Sequence, residues 1–302
     1  MLNIVRAPAY ATIQDAGRTG FLDSGVPKAG AMDLPALFTL NAMLASEPGC
    51  AAIEWALSGG EIEFERATTF AVGGSAGALS LSGFDIQPWR AYAAGPGDRL
   101  VVGAPVSGRF IYIAVAGGIH VPQKLGSRST YLPGNIGGFD GRRLKSGDSI
   151  AVVDPPRRKR HQVTDPLPGE LHPPARSETV RYIARESIDL RREWTVAAAS
   201  DRTGYRLESP ELQQGGSVTS EPVCTGVIQL PPGGQPIVLM ADAPTIGGYL
   251  IAGAVITADL GVLSQKSPGE QVVFEPVGVN AAQRALEADA DRVARVREWS
   301  LA

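Results

Sequence analysis

"DAGRTGFLDSGVP", Asp15 to Pro27, resembles "ASDRTGYRLESPE", Ala199 to Glu211. "SEPGC" (Ser46 to Cys50) pairs in the same way with "SEPVC" (Ser220 to Cys224), and "PGDRLVV" (Pro96 to Val102) with "PGEQVVF" (Pro268 to Phe274). The order is the same in both halves, which predicts an internal duplication. The first copy is longer by about ten residues between its first two landmarks, and the excess coincides with "MDLPALFTLNAMLASEP". That segment reads as a helix: Asp33 can cap it, Pro35 suits its first turn, and Leu37, Leu40 and Leu44 share one face.

Elsewhere 36 glycines and 23 prolines punctuate short apolar runs such as "DRLVVG", "RFIYIAVAGG", "PIVLMAD" and "EQVVFEPV". These predict strands, so the chain is expected to be mainly β with a few short helices. Between the copies, proline and charge replace apolar periodicity from Asp154 to Pro174. The expected division is a first domain over 1–153, a linker over 154–178 and a second domain over 179–302. The basic run Arg157 to Arg160 is read as a solvated linker face. From Asn280 onward, Leu286, Ala290 and Val293 fall on one side of an amphipathic helix that is expected to pack back onto the body of the protein.

A chain of 302 residues is long enough for two cores, and 44% hydrophobic with 20% charged residues is a globular balance. A net charge of -3 provides no overall basic field for nucleic acid or an anionic membrane. The start lacks the apolar core of a secretory signal, and no stretch is apolar for the roughly 18 residues of a membrane span, so a cytoplasmic protein is expected. Cys50 and Cys224 are then expected to be free thiols. Three histidines, two of them (His161 and His172) in the linker, argue against a histidine-rich metal site, and no metal site is assigned.

Chemistry concentrates in "GSRSTYLPGNIGGFDGRRLKSGD", Gly126 to Asp148. Lys124, Arg128, Arg142 and Arg143 bracket "GNIGG", whose glycines would allow backbone N–H groups to form an anion nest. Arg128 stands beside the hydroxyls of Ser127, Ser129 and Thr130, and arginine matches phosphate or carboxylate with two parallel hydrogen bonds. A basic hairpin with glycines serving only tight turns is the simpler alternative. "QDAGRTG" offers Gln14, Asp15 and Arg18, either as a structural brace or as Arg18 gripping a carboxylate while Asp15 orients an amide nitrogen or holds Mg²⁺. In the second half, Gln229 on a strand and Asp242 at a strand end precede Gly247 and Gly248, where a ligand can approach the backbone. His120 reads as a satisfied surface imidazole, with a general base as the alternative, and Glu47 and Glu221, present in both "SEP" landmarks, as scaffold. No P-loop pattern occurs.

"TIQDAGRTGFLDSGVPKAGAMD", "GSRSTY", "GGFDGRRLKSGD", "TSEPVCTGVIQLPPGGQPIVLMAD" and "GGYLIAGAVITADLG" together resemble the family known as the 5-oxoprolinase C subunit, allophanate hydrolase subunit 2 or Kip antagonist, a biotin-dependent carboxyltransferase-like family. The resemblance implies two tandem cyclophilin-like β-barrel domains. It implies a Kip inhibitor-like B subunit as partner, a separate 5-oxoprolinase A subunit, and opening of the 5-oxo-L-proline lactam to L-glutamate with ATP. On that expectation Asp15, Arg128 and Asp242 carry catalysis, and Arg18, Ser129, Thr130, Gln229, Gly247 and Gly248 bind substrate. Lys124 and Arg142 would bind the nucleotide, with ATP and Mg²⁺ shared with the partner subunits. Two alternatives stay open: a non-catalytic antagonist that binds a Kip inhibitor-like protein, and a carboxyltransferase component acting on urea or a related amide. The latter needs a biotin carrier on another polypeptide, because this chain has no "MKM" attachment site.

Overall fold

The computed structural model describes residues 1–154, 165–174, 177–185, 188–211 and 213–302. The run Arg157 to Arg160 and His161 lie outside the described residues. The chain is mainly β, as its apolar runs predict, and divides into two compact units of interleaved segments. The first comprises Met1–Gly17, Asp33–Pro173 and Ala290–Ala302; the second comprises Arg18–Met32 and Pro174–Asp289.

In the first unit, one sheet runs in the order Ile119–His120, Ser149–Val152, Leu2–Arg6, Gly60–Phe64, Arg99–Val102, Leu79–Leu81, Phe84–Ile86. A second runs Tyr10–Gln14, Ala52–Ala56, Phe110–Val115, Thr68–Gly74, Ala91–Ala94. Their facing side chains alternate along each strand and share one core, in which Ile4, Ile62, Phe64 and Leu100 meet Ile13, Trp55, Phe70 and Ile113. Every residue of Phe110–Val115 is buried, because the strand's second face is covered as well. Helix α1, Leu34–Met43, supplies part of that cover.

The Asp33 carboxylate caps α1 by accepting the Ala36 N–H at 3.0 Å, and Pro35 occupies the first turn, as the sequence predicts. The expectation of one apolar face is corrected: α1 is buried nearly all round, Thr39 and Asn41 included. The polar side chains tolerate this because they are bonded, Thr39 Oγ1 donating to the Pro35 carbonyl and Asn41 Nδ2 to the Pro48 and Cys50 carbonyls.

In the second unit, strands Thr179–Ala184, Gln271–Pro276, Glu193–Val196, Gly204–Glu208, Ile237–Leu239, Val227–Leu230 and Ile246–Val255 pair in that order, and the last pairs back to the first. The result among the described residues is a closed barrel, filled by Trp194, Tyr205, Leu207, Ile228, Val238 and an edge-on pair of Tyr182 with Phe274. Strand Ser217–Pro222 adds to the outside of Ile246–Val255. Short helix α2, Leu260–Ser264, follows that long strand.

The three sequence landmarks do not all correspond in conformation. Phe21 to Val26 forms turns, whereas its counterpart enters strand Gly204–Glu208. Glu47 to Cys50 is a turn, whereas Ser220 to Pro222 lie in a strand. Only the third pair matches, two strands that each follow a tight turn braced by a carboxylate: Asp98 accepts from the Gly95 N–H and Glu270 from the Ser267 N–H. Short strings of Asp, Arg, Thr and Gly suit a turn or a strand entry equally, so likeness in them does not fix likeness in shape.

The C-terminal helix α3, Val279–Leu301, forms as predicted, but its buried stripe is Arg292, Val296 and Ser300. Leu286 is 48% exposed, which corrects the expected apolar face. The reason is a polar seam that hydropathy does not register: the Arg292 guanidinium donates to Thr39 Oγ1 at 2.8 Å and the Leu171 carbonyl at 3.1 Å, and Ser300 Oγ donates to the Ala42 carbonyl at 2.9 Å. No helix among the described residues is long and apolar enough to cross a membrane. Replacing Arg292 with Met leaves buried acceptors unmet and is expected to cost about 1–3 kcal/mol, read as a lowered Tm in a calorimetric melt. Leu286→Ala is expected to change stability by no more than about 0.5 kcal/mol in the same melt.

Candidate functional site

The Asp15 carboxylate, at the end of strand Tyr10–Gln14, organises the cationic glycine-rich loop. Its Oδ1 accepts from Ser127 Oγ at 2.6 Å, Ser129 Oγ at 2.5 Å and the Gly17 N–H at 2.8 Å; its Oδ2 accepts from the Arg128 N–H at 2.6 Å. Ser129 Oγ also accepts from the Asp15 N–H, and Thr130 donates both its N–H and its hydroxyl to the Ile13 carbonyl. Ser127, Ser129 and Thr130 are thereby buried structural groups that hold the loop against the strand. Gly138 packs so tightly on Thr130 that a Cβ there would stand 1.9 Å from Thr130 Oγ1. The expected anion nest in "GNIGG" is corrected: the N–H groups of Asn135, Ile136 and Gly138 donate to the carbonyls of Leu132, Tyr131 and Arg128.

The cations of the loop are not equivalent. Arg142 makes a two-pronged pair with Asp148 at 2.7 and 2.8 Å and lies over the Phe139 ring. Burial alone would raise the Asp148 carboxyl, but hydrogen bonds from Arg142 and the Lys145 N–H bring it below its ordinary range. Arg143 lies over Tyr10, and Lys124 is exposed, tied to Ser127 through backbone only. Arg128 is different. It is half-buried, its Nε donates to the Val121 carbonyl at 3.1 Å, and its two terminal nitrogens have no acceptor among the described residues. Its charge also reaches Cys50, whose thiol is pushed up by burial and drawn back in part, mainly by a hydrogen bond with the Glu47 backbone and least by Arg128.

A second polar group was missed by sequence reasoning. Thr12, Glu54 and Tyr112 stand directly opposite one another across three strands of the five-stranded sheet, all essentially buried. The Tyr112 hydroxyl donates to Glu54 Oε2 at 2.8 Å and accepts from the Asp33 N–H at 2.8 Å. Burial, then the charges of Glu54 and Asp33, hold that hydroxyl well above its ordinary range, so it remains a donor. The available signal was Glu54 itself, a carboxylate between Ile53 and Trp55 in an apolar strand.

The remaining predicted residues lie in the second unit, so each unit holds its own set. Both Asp242 oxygens accept from Arg202 at 2.8 Å, and Arg202 Nη2 also donates to the Gly30 carbonyl. The pair is buried, which makes Asp242 a fixed acceptor for Arg202. Gln229 is buried against Gly247, where a Cβ would fall 2.0 Å from Gln229 Nε2; a Cβ at Gly248 would meet only ordinary contacts. Arg18 is buried, its N–H donating to the Lys28 carbonyl. His120 is exposed at a strand end, His172 Nε2 donates to the Leu167 carbonyl with its ring beside Trp89, and Cys50 and Cys224 are free thiols. Among the described residues, no three His, Cys, Asp or Glu side chains converge to hold a metal ion.

Comparison with known proteins gives these geometries a family. A family model described as the carboxyltransferase domain, subdomain A and B, matches residues 24–276. The chain is 35% identical to the 5-oxoprolinase C subunit of Escherichia coli, covering 100% of this chain and 99% of that protein, and 34% identical to that of Haemophilus influenzae over 98% of each. The crystal structure of the Kluyveromyces lactis urea amidolyase is similar with a TM-score of 0.88 at 26% identity, over 100% of this chain but 20% of that one. The match to the two 5-oxoprolinase proteins is end to end, and with the family model it shows that the chain belongs to the carboxyltransferase-domain family of the 5-oxoprolinase C subunit.

Proposed function

We propose that the chain is one component of an ATP-dependent 5-oxoprolinase that opens the lactam of 5-oxo-L-proline to L-glutamate, working with a Kip inhibitor-like partner and a separate third polypeptide. The observation that carries this reading is the end-to-end match to two proteins named as the C subunit of 5-oxoprolinase. The chemistry balances with one ATP and two waters. Phosphoryl transfer to the lactam oxygen releases ADP, water adds at that carbon, the ring C–N bond breaks to give an acyl phosphate, and a second water releases phosphate.

In this reading Arg128 grips the anion, either the substrate carboxylate or the transferring phosphoryl group, through its two unengaged nitrogens. Asp15, with three donors from the loop and a fourth from Gly17, is a positioning residue for Arg128, while the exposed Lys124 amine is free to reach a phosphate. Mg²⁺ is assigned to the nucleotide phosphates and the partner subunits, because the described residues present no convergent ligand set. The K. lactis urea amidolyase likeness and the carboxyltransferase family model support a second reading, transfer of a carboxyl group to urea or a related amide with biotin carried by another polypeptide.

Reconstitution tests both. The assembled complex with 5-oxo-L-proline and ATP is expected to release glutamate and ADP, with this chain alone inactive. Binding of the partner without turnover marks a pure antagonist, and biotin-dependent carboxylation of urea promotes the second reading. Arg128→Ala is expected to lower kcat/KM by about a hundredfold or more with the complex still assembled, as for other charge-stabilising groups. Asp15→Asn keeps the shape but loses the charge that the four donors address; it is expected to raise KM about tenfold and to loosen the loop by about 1–3 kcal/mol, measured as faster amide hydrogen exchange at Ser127 to Thr130.

A further inference from the structure

Gln14 is fully buried, and its amide has a defined orientation: Nε2 donates to Thr12 Oγ1 at 3.0 Å and to the Thr130 carbonyl at 3.1 Å. The flipped amide would set its oxygen against the Thr130 carbonyl oxygen, two acceptors with no proton between them. With the orientation fixed, Oε1 has no hydrogen-bond donor among the described residues. Buried acceptors are seldom left in that state.

The surroundings define what is missing. The proton of the Tyr112 hydroxyl goes to Glu54, that of the Thr130 hydroxyl to the Ile13 carbonyl, and those of the Ser127 and Ser129 hydroxyls to Asp15. Those four hydroxyl protons are therefore committed, and the two groups shown to touch the Gln14 amide, Thr12 Oγ1 and the Thr130 carbonyl, both meet its Nε2 and leave Oε1 unmet. An anion is repelled by such a site, whereas a neutral N–H group completes it.

We infer that Gln14 Oε1 accepts the N–H of an amide-type substrate, a lactam or urea-type nitrogen, and so selects for substrates bearing that proton. This rests on the proposed amide-opening function and adds a substrate-selecting contact to it. A site that hydrogen-bonds a substrate N–H discriminates against the isostere lacking it, because the isostere leaves a buried group unpaired.

The test is calorimetric binding to the reconstituted complex, comparing 5-oxo-L-proline with the lactone that keeps its carboxylate but has ring oxygen in place of N–H. The lactam is expected to bind at least about tenfold more tightly. Gln14→Met keeps the length and packing of the side chain but accepts no such bond; it is expected to erase the difference by weakening the lactam alone, with the lactone unchanged within about twofold. Assembly and Tm of the variant serve as its folding check, and if it does not assemble, the wild-type comparison decides. Equal wild-type affinities overturn the inference, as does a preference that survives in Gln14→Met, which would leave Oε1 to an internal water. Urea against tetramethylurea gives the same comparison for the carboxyltransferase reading, and a complex that binds neither 5-oxo-L-proline nor urea also overturns it. Turnover is a separate readout: selective lactam binding without glutamate release removes the proposed 5-oxoprolinase function and leaves the Gln14 assignment in place.

Discussion

The first unit depends on how the Asp15 charge is met. A carboxylate only 7% exposed requires strong donors, and four neutral ones reach it: two serine hydroxyls and the N–H groups of Gly17 and Arg128. None of these is a cation. The backbone of Arg128 is thus tied to the carboxylate while its guanidinium turns toward the Val121 carbonyl and keeps its charge for something else. Had the guanidinium itself closed on Asp15, the loop would be held equally well but would present no cation.

That contrast separates Arg128 from the other arginines near acidic groups. Arg142 with Asp148, Arg181 with Asp259 and Arg202 with Asp242 are all two-pronged pairs with a largely buried carboxylate. Such pairs fix geometry more than they add stability, since desolvation offsets most of their attraction. In each of them the guanidinium face that matches a carboxylate is already filled by a protein carboxylate. Ligand binding at a cation requires the opposite state, and Arg128 has it.

Much of this was legible in the sequence, for identifiable reasons. Asp33 and Pro35 announce a helix start because capping is local chemistry, and the runs around Phe110, Arg99 and Gln271 announce strands because their apolar content and flanking turns are local too. What failed was anything settled by distant partners. Arg292 reads as a surface charge until Thr39, far away in the chain, accepts its proton. In the candidate site, Asp15 and Arg128 were visible as residue types, but the division of labour between them lies in which atoms of Arg128 meet Asp15, and that is a property of the fold.

The buried polar row shows how far such distant partnerships extend. The Asp33 side chain caps α1 while its own N–H donates to the Tyr112 hydroxyl, which in turn donates a hydrogen bond to Glu54. Helix start, hydroxyl and carboxylate are therefore one connected network, and α1 cannot shift without breaking a bond to the sheet. The helix that reads in the sequence as an added segment is instead the element that closes the polar face of the five-stranded sheet. Because Tyr112 holds its proton firmly, the direction of donation through the row is fixed toward Glu54. A row with a fixed direction of donation sets which neighbouring groups can act only as acceptors, and this bears on Gln14, at the next position beyond Thr12 on the same polar face of the sheet.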